Sequence, residues 1–153
     1  MNMRKILTYG LLVVMAAVLA QSASAYFGCI IGTKNAVCFN KGLSSILGND
    51  TTIFNVYQAD LSKLGFEAER AEIKFTVYNP NNVTVGVKYG INGKWYQTIY
   101  NIEPGETVTI KSNVWLEDLK FGQRNEIAFK TTVEVSEELP IKGHLLVKWS
   151  KEE

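Results

Sequence analysis

The sequence has little of what most catalytic and metal sites require. It contains one histidine and two cysteines among 153 residues, too few for a tetrahedral zinc site built from histidine and cysteine ligands. Catalysis by a nucleophile and a histidine base would have to use His144. On an extended strand, His144 shares a solvent-facing side with Lys142 and Lys148. We therefore predict no catalytic residue, no metal site and no enzymatic activity.

An excess of charge of either sign is also absent. The chain has 16 Lys and Arg against 15 Asp and Glu, a formal net charge of +1, whereas nucleic-acid binders usually carry a concentrated basic surface. No glycine-rich phosphate loop follows a strand and opens a helix. Neither Asn49-Asp50 nor Asn81-Asn82 begins the alternating oxygen-ligand loop that calcium sites use. We predict no nucleic acid, no nucleotide and no other cofactor.

Residues 1–25 are predicted to be a secretory signal peptide. Two basic residues near the start precede an uncharged apolar run from Ile6 to Ala20, and Ala23-Ser24-Ala25 supplies the small residues of a cleavage site. That run is short for a bilayer span, which takes about 20 residues. Cleavage after Ala25 would start the mature chain at Tyr26. The alternative is an uncleaved anchor, which is the one route by which we expect this chain to contact a membrane.

The two cysteines and two sugar acceptor triplets are consistent with export. Cys29 and Cys38 flank two short apolar arms and a polar turn, which predicts a hairpin closed by a disulfide. A lipid-modified Cys29 is an alternative, but the usual aliphatic residue three positions earlier is missing. Asn49 and Asn82 each begin an Asn-X-Thr triplet in turn-like sequence, so both are possible N-glycosylation sites.

From Thr51 onward the sequence is patterned as short strands. Ile73, Phe75 and Val77 alternate with polar residues, as in a half-buried strand. Asn79-Pro80-Asn81 and Asn92-Gly93 are typical turn sequences. We predict seven strands, at 51–59, 71–79, 83–91, 94–102, 107–116, 125–135 and 139–149.

This pattern predicts an all-β fold. Because the strands have one polar face, a parallel sheet covered by helices is excluded. The prediction is an immunoglobulin-like or fibronectin III-like antiparallel β-sandwich of about seven strands. The sandwich domain is predicted at 49–153. It is preceded at 26–48 by a disulfide-bearing apolar segment in which no clear hydrophobic period is visible, and which we expect to pack onto the sandwich.

Four motifs within residues 55–149 resemble a known family. They are the strand Ala71 to Asn81 that ends in Asn-Pro-Asn, Tyr89-Gly90-Ile91-Asn92-Gly93, Ile102-Glu103-Pro104-Gly105-Glu106, and Ile141-Lys142-Gly143-His144-Leu145. In order and spacing they resemble the type 2 late embryogenesis abundant proteins, also called the water stress and hypersensitive response (WHy) domain. The resemblance implies an immunoglobulin-like or fibronectin-like sandwich, no catalysis, and a link with desiccation or other stress. The chain departs from that family in the exported segment before residue 50.

Aromatic residues are concentrated on the two arms of one predicted hairpin. Trp95, Tyr96 and Tyr100 lie on one arm and Tyr89 on the other. Exposed rings at Trp95, Tyr96 and Tyr100 could stack on a sugar or a partner, which makes these residues a possible interaction surface. The alternative is cross-strand packing on a half-buried sheet.

Two functional hypotheses remain, both for a protein that is secreted or held at the cell surface. The first is an exported, non-catalytic sandwich module of the stress-related kind that contacts envelope components. The second is a structural subunit of an extracellular filament or surface layer. In the second, residues 26–48 would pair with the sheet edge of another protein subunit, such as a further copy of this chain. The place where this segment packs distinguishes the two hypotheses.

Overall fold

Ten β-strands lie within residues 26–152, the part of the chain that the computed structural model describes. The predicted signal peptide, with its cleavage point after Ala25, lies outside the described residues. The strands are β1 Tyr26–Ile31, β2 Asn35–Leu47, β3 Thr52–Gln58, β4 Glu67–Tyr78, β5 Val85–Ile91, β6 Lys94–Trp95, β7 Tyr100–Ile102, β8 Thr107–Val114, β9 Gln123–Thr131 and β10 Leu139–Ser150. Short 3-10 helices occupy Ser62–Leu64 and Leu116–Asp118.

The strands form two five-stranded antiparallel sheets. Sheet 1 has the order β3-β9-β5-β6, and β7 also pairs with β5. Sheet 2 has the order β1-β2-β10-β4-β8. Buried apolar side chains from both sheets form one core, in which Phe54, Phe75 and Phe129 pack with ring centroids 4.8 to 5.9 Å apart. The predicted antiparallel β-sandwich is confirmed.

All seven predicted strands are present, but one is interrupted. The arm expected at 94–102 is divided into β6 and β7. After Trp95 the backbone N–H of Tyr96 donates to the carbonyl oxygen of Tyr89, and the Tyr96 ring packs on the Tyr89 ring at 4.8 Å. Because this packing takes Tyr96 out of the strand, the simple alternation assumed for this arm does not continue through residues 96–99.

Residues 26–48 lie inside the sandwich as the hairpin β1-β2, although the sequence pattern sets this segment apart from it. β2 pairs with β10 along most of its length. The register shifts where Gly143 faces Leu43 and Leu145 faces Asn40, so that two residues of β2 lie opposite His144. This bulge changes which positions of β2 point inward, and no single period is therefore visible in its sequence.

The predicted disulfide joins Cys29 of β1 to Cys38 of β2, which lie directly opposite each other with Cα atoms 4.0 Å apart. Cys38 is fully buried and Cys29 packs against the core. A disulfide of this kind is consistent with an extracellular or surface protein, because reducing compartments keep thiols reduced.

Two buried asparagines hold the loops at one end of the sandwich together. The Nδ2 atom of Asn79 donates to the carbonyl oxygens of Val83 and Ile102. The Oδ1 atom of Asn81 accepts from the backbone N–H groups of residues 136 and 137 and from the Ser136 hydroxyl. The Asn-Pro-Asn motif thus connects the β4-β5 loop to the segment before β10.

Candidate ligand-binding face

The outer face of sheet 2 carries a row of basic side chains. His144 of β10 lies opposite Lys74 of β4, and Lys74 lies opposite Lys111 of β8. Neighbouring strands are roughly 4.8 Å apart, so these three side chains project side by side. Lys142 lies two residues before His144 on β10 and adds a fourth basic group on the same face. Lys74, Lys111, Lys142 and His144 are called the basic face below.

Two glycines line a recess beside these side chains. Gly42 has a φ of +76° in the bulge of β2 and contributes no side chain. A Cβ atom on Gly143 would collide with the carbonyl oxygen of Lys74 and lie 2.6 Å from the Cα atom of Phe75. The recess has a volume of about 440 Å³, and its lining includes Lys74, Lys142 and His144. Glycine at position 143 is therefore required for the close approach of β10 and β4.

A second recess of about 410 Å³ continues along the same face. Ser44, Thr76 and Lys142 line both recesses, so the two form one shallow groove. The far part of the groove adds hydroxyl groups and an aromatic ring; its further lining residues are Ser45, Tyr78, Thr107, Pro140 and Ile141. Tyr78 is 41% exposed. The groove therefore offers cations, hydroxyl groups and one accessible ring.

Within the described part of the chain, the lysines of the basic face have no acidic partner. Among residues 26–152, Lys74, Lys111 and Lys142 form no ion pair, whereas Lys94 pairs with Asp118 at 3.3 Å elsewhere on the molecule. Like charges directly opposite each other on a sheet are destabilising. The arrangement therefore costs folding free energy and leaves a positive potential over the groove.

Acidic groups lie around the basic face rather than in its row. Glu72 of β4 faces Leu146, two register positions beyond His144 and Lys74 and on the same face of the sheet. A separate recess of about 590 Å³ is lined by Glu69, Arg70 and Glu117, so its acidic groups outnumber its basic group. Lys148, which shares a face with His144 in the sequence prediction, lies opposite Arg70 further along β10. Basic groups therefore lie on both sides of Glu72, in the basic face on the groove side and in the Lys148 and Arg70 pair on the other.

The residues predicted as an aromatic interaction surface make contacts within the fold. Trp95, Tyr96 and Tyr100 are all half-buried. The Nζ atom of Lys130 lies 4.2 Å from the ring centroid of Trp95. The hydroxyl of Tyr96 donates to Oδ2 of Asp118 at 2.8 Å and accepts from the backbone N–H of Trp115 at 3.0 Å. Burial is the main reason why the pKa of Tyr96 is raised far above its usual value, and the hydrogen bond to Asp118 raises it further.

The two predicted glycosylation sites differ in their surroundings. Asn82 is exposed in the β4-β5 loop. The side chain of Asn49 exchanges two hydrogen bonds with the backbone of Val135: its Nδ2 atom donates to the carbonyl oxygen at 3.2 Å, and its Oδ1 atom accepts from the N–H at 2.7 Å. The Asn49 amide therefore helps to fix the segment between β9 and β10, whereas the Asn82 amide is open to solvent.

Among residues 26–152, no three side chains of the His, Cys, Asp and Glu types are grouped closely enough to hold a metal ion. Within the same residues, no helix has the length and apolar character needed to cross a bilayer.

Sequence reasoning placed His144 beside Lys142 but missed the row with Lys74 and Lys111. Each of these lysines occupies a polar position on its own predicted strand. Their alignment depends on the register between β10, β4 and β8, which pairs residues that are 70 and 37 positions apart in sequence. The near-zero net charge of the whole chain also conceals a local concentration of positive charge. The available signal was a lysine at an outward position on each of three strands.

No family model and no curated protein matches the sequence. Solved structures do match. The CBM36-1 domain of a multidomain xylanase from the hindgut metagenome of Trinervitermes trinervoides is 15% identical with a TM-score of 0.43, over 80% of this chain and 84% of that domain. A carbohydrate-binding module CBM36 in complex with calcium and xylotriose has the same identity and TM-score, over 81% and 93%. The sugar-binding C-terminal domain of EclA is 15% identical with a TM-score of 0.41, over 84% and 82%. Similarities this distant give no information on the function of this chain.

Proposed function

We propose that this chain is an exported, non-catalytic β-sandwich protein that acts through surface contacts at the cell envelope. The observation that carries the proposal is the groove of sheet 2, in which Lys74 and Lys142 lie beside the hydroxyls of Ser44 and Thr76. A shallow groove with convergent polar groups is suited to holding an extended ligand. The Cys29–Cys38 disulfide supports export.

The first experiment measures export and binding together. The full chain is expressed in a secreting host, and the released protein is sequenced from its N-terminus and then titrated onto washed cell envelopes. We expect a chain that starts at Tyr26, contains the disulfide, binds saturably and leaves the envelope polymers unchanged in length. Retention in the cytoplasm, an absence of saturable binding, or shortened polymers would each overturn the proposal.

The stress-related part of the proposal follows from the resemblance to the type 2 late embryogenesis abundant family. Its motifs at Ala71 to Asn81 and Ile141 to Leu145 form neighbouring segments of β4 and β10. We expect a strain that lacks the protein to survive drying less well than its parent, and expression of the full chain to restore survival. Equal survival of the two strains would confine the resemblance to the fold.

The open edge of sheet 2 favours a second candidate function, that of a filament or surface-layer subunit. β1 is an edge strand on which Ile30 is 70% and Ile31 is 51% exposed, and such an edge can pair with another chain. In this arrangement residues 26–48 stay on their own sandwich, and only the free side of β1 is offered to a neighbour.

Light scattering after size-exclusion chromatography tests this candidate. Deletion of residues 26–48 would remove the β2 strand that pairs with β10, so a charged edge is the sharper perturbation. Ile30→Lys combined with Ile31→Lys is expected to dissolve any assembly. Ile53→Lys, at an exposed isoleucine on the edge strand of sheet 1, is the matched control. An unmodified chain that stays monomeric at every concentration would sink the filament function.

A further inference from the structure

We infer that the basic face binds a polysaccharide that carries carboxylate groups, an inference that rests on the proposed envelope function. The row of His144, Lys74 and Lys111 places three basic groups on successive strands, at intervals of roughly 4.8 Å. Lys142 extends the positive charge along β10, about 7 Å from His144. A chain with repeated acid groups can meet several of these basic groups at once.

The charge of the face supports an anionic ligand. Among residues 26–152, the three lysines have no acidic partner within ion-pair distance. Their mutual repulsion is a cost of folding, and a bound polyanion would remove that cost while gaining charge-assisted hydrogen bonds. A bound polyanion therefore gains most at the positions where the lysines repel one another in the unbound protein.

The lining of the groove favours a sugar chain over a membrane or a protein. The hydroxyls of Ser44, Thr76 and Thr107 line the same groove as Lys74 and Lys142, and they can donate to or accept from sugar hydroxyls. The Tyr78 ring is accessible for stacking on a sugar. Membrane binding and protein interfaces rely on large exposed apolar anchors. Tyr78 is the one large apolar side chain among the groove-lining residues that is classed as exposed.

Isothermal titration calorimetry with polygalacturonate tests the inference. Fully methyl-esterified polygalacturonate has the same backbone without the charge. The exported chain is compared with the double variant Lys74→Gln and Lys142→Gln, and with the matched variant Lys63→Gln and Lys120→Gln. The matched variant removes the same charge from exposed positions outside the strands.

We expect the unmodified chain to bind polygalacturonate, and added salt to weaken that binding. The double variant Lys74→Gln and Lys142→Gln, called the groove variant, should bind at least about tenfold more weakly. The matched variant should stay within about twofold of the unmodified chain. Circular dichroism confirms that both variants are folded. The ester should not bind measurably.

Several results would overturn the inference. They are the absence of polygalacturonate binding by the unmodified chain, equal binding of the ester, an equal loss in both variants, or binding only to anionic lipid vesicles or to a DNA duplex. Envelope binding that persists in the groove variant would leave the proposed function standing and remove this inference. An unmodified chain that binds no envelope would remove the proposed function itself.

Discussion

Replacement of Asn81 by alanine tests how much of the sandwich depends on one buried side chain. Asn81 is 4% exposed, and its side chain takes part in five hydrogen bonds within the protein. Three are accepted by Oδ1 from residues 136 and 137, and two are donated by Nδ2 to Glu137 and Asn79. The substitution removes all five at once and separates the β4-β5 loop from the segment before β10.

The expected loss is smaller than the number of bonds suggests. Residues 136 and 137 are exposed, so water can replace part of what their backbone groups lose. Asn79 keeps the bond that its Oδ1 atom accepts from the backbone N–H of Asn81. Five bonds at roughly 0.5 kcal/mol each, the low end of the usual net value, give a loss of about 2 to 3 kcal/mol in the free energy of unfolding.

Urea denaturation of the disulfide-intact chain measures this loss. Asn82→Ala is the matched control, because Asn82 is the next residue in the same loop and its side chain is exposed. We expect Asn82→Ala to change stability by less than about 0.5 kcal/mol. If Asn81→Ala falls within that same range, Asn81 is not holding the two loops together and the reasoning is refuted.

Three further predictions concern other parts of the molecule. Removal of the disulfide by Cys29→Ala with Cys38→Ala should cost about 2 to 3 kcal/mol in urea unfolding, and a loss below about 0.5 kcal/mol would contradict the assigned link. In a glycosylating host, mass spectrometry should find a glycan on Asn82 and none on Asn49, whose amide is bound to Val135; occupancy of Asn49 is the opposing result. Burial raises the pKa of both Tyr89 and Tyr96, so the folded chain favours their neutral forms. This stabilisation is fully present below the ordinary tyrosine pKa and is lost as pH rises above about 10. Thermal unfolding should show a shallower alkaline decline for Tyr96→Phe than for the unmodified chain, and equal declines would count against this assignment.

Most of the fold could be predicted from the sequence because short local residue patterns mark its strands and turns. The alternation of Ile73, Phe75 and Val77 and the turns at Asn79-Pro80-Asn81 and Asn92-Gly93 depend on neighbouring residues alone. The hairpin β1-β2 is less visible, since the bulge at Gly42 changes the inward-facing positions partway along β2. A local pattern cannot show a change of phase that is imposed by pairing with β10.

The candidate site was largely hidden for a related reason. Lys74, Lys111 and His144 become neighbours only through the register of three strands, and a shift of one residue would turn each side chain to the opposite face. The aromatic cluster was visible in the sequence, but its contacts within the fold were not. Tyr89 and Tyr96 were grouped correctly on one hairpin, but their stacking and the hydrogen bond to Asp118 bury part of the surface that the grouping suggested.

The two strand motifs that carry the family resemblance describe one spatial unit. Val77 pairs with Ile141 and Ile73 with Leu145. The two segments are therefore adjacent, and their inward-facing residues and their outward-facing residues are both neighbours. Their inner residues build the core, and Gly143 permits the approach that brings Lys142 and His144 beside Lys74. Two strands paired for folding alone would favour neutral outer residues, because opposed cations cost stability. If Lys74→Gln stabilises the empty chain and weakens its binding, the basic face is a functional feature rather than a by-product of the fold.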